Sequence, residues 1–260
     1  LIVGIFGGSV AAGFSGRGRA PFVEALRSFP EFSDKEIVVV SYAMGGYKQP
    51  QQLMALNYLM LLGGELDVAI NLDGYNEIAL YHGPNADQGV FPMYPTAWNW
   101  RVRNLEDEHL RGLAGGILYL RSWQNGLRSA LMNGAWRHSP TVNFVWKNVD
   151  DQLTRSINKN QKTINAYEPD AQTYAATGPR VEFAEDAILD HLVDVWSRSS
   201  LQMAQLSEAN GIRYFHFLQP NQYVEDSKPM GSEERSIAIK ETVRSEVAKR
   251  GYGQLISEGQ

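Results

Sequence analysis

Cysteine is absent from the 260 residues, which excludes a disulfide framework and thiolate metal sites. No apolar run approaches the roughly 20 residues that cross a bilayer, so no transmembrane segment is expected. Clusters of lysine and arginine are also missing and the net charge is −5. A nucleic-acid partner, which needs such clusters to neutralise phosphates, is therefore not expected. The acidic stretches Glu106–Glu108 and Asp150-Asp151 lack histidine at ligand spacing, so no metal is expected. A P-loop Gly-Lys-Ser/Thr does not occur, and no motif asks for a cofactor. The chain starts without methionine and already inside an apolar run, so a removed leader or a longer parent chain is expected. A domain with neither anchor nor cysteine suits an extracytoplasmic setting, bacterial envelope or secreted.

What the chain does have is three short strand-type runs, each closed by glycine or polar residues: Leu1–Phe6, Glu36–Ser41 and Asp67–Leu72. Helix-type segments lie between them, at Pro21–Ser28 and at Pro50–Leu62. In the second, Leu53, Leu56, Leu59, Met60 and Leu62 fall at three- and four-residue steps. A long helical pattern from about Val181 to Asn210 ends at Gly211, and a fourth strand is expected at Arg213–Leu218. Near-continuous apolar strands alternating with helices predict an α/β domain with a parallel sheet covered on both faces. Residues 83–180 break the rhythm. They begin with turn residues, continue in a helix marked by Leu110, Leu113, Ile117, Leu120, Trp123, Leu127 and Leu131, and hold five of the six tryptophans. This region reads as a mostly helical insertion, either a lid over the sheet's carboxyl edge or a helical layer with an aromatic satellite core. The last stretch, Ser232 to Leu255, reads as one helix with Ile237, Ile239, Val243, Val247 and Leu255 on a common face. The domain division is then 1–82 with 181–260, and 83–180.

In an open α/β sheet, ligands bind beyond the carboxyl ends of the strands. Gly7-Gly8-Ser9 stands at the end of the first strand, so Ser9 is the first side chain at the mouth of such a pocket. A hydroxyl among exposed amides suits a nucleophile beside an anion-stabilising nest, or a phosphate-binding turn. The second strand is followed by Gly46, whose amide no Cβ obstructs, and the third by Asn76, whose carboxamide can donate.

Gly7-Gly8-Ser9-Val10, then Gly46, then Gly74-Tyr75-Asn76-Glu77 together resemble the first three blocks of the SGNH (GDSL-like) hydrolases, Gly-Asp-Ser, Gly and Gly-x-Asn-Asp. The resemblance covers residues 1–80 and roughly 181–225. It implies a flavodoxin-like three-layer α/β/α fold and esterase, lipase, thioesterase or deacetylase chemistry on a small-molecule ester, a lipid or an acylated carbohydrate. It also implies Ser9 as nucleophile, with oxyanion donors in the Ser9 amide, the Gly46 amide and the Asn76 side chain. Gly8 and Glu77 each replace an aspartate of the family pattern. Neither position attacks or donates to the oxyanion, so both departures are expected to be tolerated. The family's Asp-x-x-His base block and final strand have no counterpart here, since no histidine follows His216. His109 and His191 read as surface, His82 and His138 have nothing to orient them, and His216 reads as a hydrogen-bonded strand residue. No catalytic base is assigned within the sequence.

Other sites fit less well. An α/β-hydrolase elbow places its serine deep in the chain, after an earlier oxyanion loop. A dinucleotide fingerprint needs Gly-x-Gly-x-x-Gly and an acid ending the next strand, and neither is present. The alternative to a hydrolase is a non-catalytic acyl- or glycan-binding module using the same strand-end pocket.

Overall fold

The structure is a computed structural model and describes residues 1–86, 89–96, 108–133, 135–165, 178, 184–225 and 227–259. It forms two compact units, Leu1–Ala97 with Pro179–Gln260, and Trp98–Gly178. The described residues 83–86 and 89–96 belong to the α/β unit, whereas the sequence predicts them in the insertion.

The first unit is a mixed α/β structure built on a four-stranded sheet in the order β2-β1-β3-β4. The strands are β1 (Ile2–Gly7), β2 (Val38–Ser41), β3 (Val68–Asp73) and β4 (Arg213–Leu218), and every pairing is parallel. Gly7 pairs with Leu72 and Leu72 with Phe217, so the carboxyl ends of β1, β3 and β4 lie level. Helices pack on both faces of β1 and β3, whereas Phe215 and Phe217 leave one face of β4 half exposed. Val3, Ile5 and Val39 pack against Ala11 of α1 (Ser9–Gly16), with Phe22 of α2 (Arg19–Arg27) beside them. On the other face Phe6 and Ala69 meet Leu56 of α3 (Gln51–Leu61) and Met203 of α7 (Glu185–Ala209). After β3 comes the short α4 (Tyr75–Ala79), then a kinked turn, Tyr81–Asn85, whose backbone leaves helical geometry at His82 and Gly83. Buried Asn85 holds the following loop by donating to the carbonyls of Phe91 and Tyr94.

The final stretch forms two helices where the sequence predicts one, α8 (Ser232–Ala238) and α9 (Val243–Glu258). Thr242 sets the break. Its hydroxyl accepts from the Ser245 amide, and its own amide donates to the Ser245 hydroxyl, so a new helix starts there. The expected apolar face holds only in its second half: Ile237 and Val243 are 66% and 67% exposed, while Val247 and Leu255 pack inward. Ala248, Tyr252 and Leu255 of α9 meet Ile78, Leu189, Val193 and Trp196.

The second unit is a helical hairpin of α5 (Glu108–Asn133) and α6 (Pro140–Asn165), joined through a 3₁₀ turn at Ala135–His138. Gln124 donates to both Asp150 and Thr154, and Leu110, Ile117, Ile157 and Ile164 form the seam. That seam is aliphatic. Trp123, expected on the packed face of α5, is 55% exposed. Trp98 and Trp100 lie outside the described residues. Among the described residues, no helix is long and apolar enough to cross a membrane.

Candidate active site at the strand ends

The strand order changes direction at β1, which sends its chain to β2 on one side while β3 lies on the other. Such a switch point opens a crevice at the carboxyl edge. Gly7 makes the turn there. Its φ is +138°, and a Cβ would lie against the Leu72 carbonyl and the Ala11 side chain. With no side chain in the way, α1 begins two residues after β1. The first helical bond of α1 runs from the Ala12 amide to the Gly8 carbonyl, so the amides of Ser9, Val10 and Ala11 have no helical acceptor. Ser9 is exposed at the positive end of this helix.

Gly46 has φ +83°, and the space where its Cβ would stand is open except for the Thr96 hydroxyl at 3.8 Å. Among the described residues its amide has no acceptor. Asn76 donates through Nδ2 to the Tyr47 carbonyl at 2.7 Å, leaving its second amide hydrogen to donate elsewhere. A Cβ on Gly8 would lie 2.2 Å from Asn76 Nδ2 and 3.2 Å from the Tyr47 carbonyl oxygen. Gly8, Tyr47 and Asn76 thus meet in direct contact. Ser9 and Gly46 are the next residue and the preceding one on their chains, a Cα step of about 3.8 Å away. Ser9 and Gly46 are therefore each one residue removed from a direct contact with Asn76.

The same contact changes the meaning of Gly8. Where the family pattern has aspartate, this protein has no room for any side chain while Asn76 stays in place.

Beneath Asn76 lies a buried polar network that the sequence reading did not find. Asp73, the last residue of β3, is 2% exposed. Its Oδ1 accepts from Trp196 Nε1 and pairs with His216 Nε2, both at 2.7 Å. Its Oδ2 accepts from Asn71 at 2.7 Å, Gln49 at 3.2 Å and Gln52 at 3.5 Å. Glu77 accepts the Gly74 amide on Oε2, and the Gln49 amide and Gln52 side chain on Oε1, at 2.8–3.0 Å. Burial, and then the Asp73 charge, push the Glu77 carboxyl up to about 8 against these donors. Burial lowers the Lys48 ammonium to about 8, partly opposed by Glu77. Lys48 Nζ is buried without a hydrogen-bond partner among the described residues.

His216 is committed at both ring nitrogens, since Nδ1 lies 2.6 Å from the Ser200 hydroxyl while Nε2 faces Asp73. It is a strand residue tied into the scaffold. His82 sits at the kink after α4, its carbonyl accepting from Arg244. His109 and His138 are exposed in the hairpin, and His191 is half-buried where surface was expected. Among the described residues, nothing accepts a hydrogen bond from the Ser9 hydroxyl, and no cluster of His, Asp and Glu could hold a metal ion. Comparison with protein-family models, with curated proteins and with solved structures finds no match to this chain.

Proposed function

We propose that this protein is a serine ester hydrolase of the SGNH (GDSL-like) type, forming an acyl-enzyme at Ser9. Its sheet order, 2-1-3-4, is that of the first four strands of a flavodoxin-like α/β/α fold, which is the architecture this reading requires. The observation that carries it is the contact of Asn76 Nδ2 with Gly8 and Tyr47, because it joins the ends of three strands around one serine.

In this reading Ser9 Oγ attacks the ester carbonyl carbon, and the carbonyl oxygen gains negative charge. The Ser9 amide at the helix start, the Gly46 amide and the free Asn76 amide hydrogen hold that charge. Collapse of the tetrahedral intermediate expels the alcohol, and water then releases the acid. Loss of one such donor typically costs about 2.7–4 kcal/mol of barrier. The proton leaving Ser9 needs an acceptor, which the family takes from its Asp-x-x-His block. The substrate class is a carboxylic ester: a small molecule, a lipid or an acylated carbohydrate.

The experiment is labelling with a fluorophosphonate and mapping of the modified peptide. Label on Ser9, abolished in Ser9→Ala with unchanged thermal unfolding, supports the hydrolase. The second reading is a non-catalytic acyl- or glycan-binding module, favoured by the lack of a described acceptor for the Ser9 proton. An unlabelled Ser9 together with saturable ligand binding would put that reading first.

A further inference from the structure

We infer that Asp73 is a positioning residue for this site, an internal anion that clamps the 46–52 loop onto the 74–77 turn. The inference rests on the assignment of Ser9, Gly46 and Asn76 given above. Asp73 itself lies one residue before the Gly-x-Asn-Asp-like block, so the motif does not include it.

Five side chains from four parts of the fold converge on its two oxygens. Trp196 comes from α7, His216 from β4, Asn71 from β3, and Gln49 and Gln52 from the loop and helix after β2. Every one of the five can donate, so the group they are built to receive is a carboxylate. The two halves of the cluster do different things. Trp196 and His216 fix Oδ1 to the scaffold, and His216 is fixed in turn by Ser200. Gln49 and Gln52 tie Oδ2 to the segment that begins with Gly46 and Tyr47. Glu77 closes the same joint from the other side, taking the amides of Gly74 and Gln49 on separate oxygens.

Asn76 lies between Asp73 and Glu77 in the chain, and its only protein acceptor among the described residues is the Tyr47 carbonyl. The separation of the Gly46 amide from the Asn76 carboxamide is therefore set by how tightly the loop is held to the turn. The links across that joint come from the Gln49 amide and from the Gln49 and Gln52 side chains, and Gln49 Nε2 to Asp73 is the side-chain link nearest Gly46 in the chain.

The test compares Gln49→Met and Asp73→Asn with Ile212→Ala, a core change at the opposite end of the sheet. Three quantities are read: kcat and KM on an aryl ester, amide hydrogen exchange at residues 46–49, and thermal unfolding. A clamp predicts that Gln49→Met lowers kcat tenfold or more with KM within about twofold, and speeds exchange at 46–49 by tenfold or more. Ile212→Ala should lower the unfolding temperature and leave kcat and that exchange alone. If Asp73→Asn does not fold, Gln49→Met decides. Unchanged exchange at 46–49 in Gln49→Met, or a loss of kcat equal to that in Ile212→Ala, overturns the inference. If the wild type neither hydrolyses esters nor takes up a fluorophosphonate, the hydrolase reading fails by itself. The exchange measurement then still decides the clamp, faster exchange supporting it and unchanged exchange overturning it.

Discussion

Replacing Gly8 with alanine adds one methyl group at the most sensitive point of the site. The backbone tolerates it, since φ at Gly8 is −89°, an ordinary value for any residue. Its new Cβ would stand 2.2 Å from Asn76 Nδ2, and ordinary contact begins at 3.4 Å, so the carboxamide must withdraw by 3.4 − 2.2 = 1.2 Å. Asn76 Nδ2 is the far end of a flexible side chain, so the fold can absorb the shift. Its 2.7 Å bond to Tyr47 cannot survive a move of that size in an unchanged loop. The stability cost is that of one hydrogen bond, about 0.5–1.5 kcal/mol. The catalytic cost is that of an oxyanion donor moved out of reach, on the order of 10²–10³ in kcat. The assay is a double-mutant cycle of Gly8→Ala and Asn76→Ala, read as ester turnover, fluorophosphonate labelling rate and urea unfolding. Because both changes remove the same donor, the second should add little to the first. Additive losses, or a Gly8→Ala protein that labels at the wild-type rate, would show that Asn76 does not stand against Gly8.

Asn76→Ala alone should lower kcat about 10²–10³-fold while KM stays within a fewfold, the pattern of a contact made only in the transition state. Stability should vary with pH in two opposite limbs. The Glu77 pKa is raised from 4.5 to about 8 on folding, so the native state binds more protons across that interval and stability falls as pH rises through it. The Lys48 pKa is lowered from 10.5 to about 8, so above pH 8 the unfolded state binds more protons and stability rises again toward 10.5. Urea unfolding across pH 4.5–10.5 measures both. Glu77→Gln should flatten the first limb and Lys48→Met the second, and limbs unchanged in both variants would mean that other groups cause them.

The framework was legible because it is local. Each sheet strand announces itself as an apolar run of four to six residues, and the observed ends differ from the expected ones by at most two positions. Helices α3, α5 and α7 carry apolar residues at helical spacing and were expected as well. Helix α6 carries the same signal in Val142, Trp146, Val149, Leu153, Ile157 and Ile164, read only as part of a mostly helical region. The last helix was misread because Ile237 and Val243 match a helical stripe in the sequence, while Thr242 offers a capping box that starts the helix afresh. Ser9, Gly46 and Asn76 are legible as candidates because each follows a strand. The network under them is not. Gln49 reaches Asp73 across 24 positions, Trp196 across 123 and His216 across 143, and nothing local marks those polar residues as partners.

The two departures from the family pattern, Gly8 and Glu77, look independent in sequence and belong to one arrangement in space. Glycine at 8 leaves the volume that Asn76 Nδ2 fills. Glutamate at 77 has the length to take the Gly74 amide on one oxygen and the Gln49 amide on the other. Glu77→Asp, which introduces the residue of the SGNH pattern, shortens the side chain by one methylene. An aspartate held to the Gly74 amide falls short of Gln49, leaving a buried amide without its acceptor and the Gln52 carboxamide with only its 3.5 Å contact to Asp73. Such a loss costs about 1–3 kcal/mol for each buried group left unpaired. The substitution should therefore lower the unfolding free energy by that order and reduce kcat with it. A Glu77→Asp protein as stable and as active as wild type would mean that the loop is held without this carboxylate, and that the two departures are separate after all.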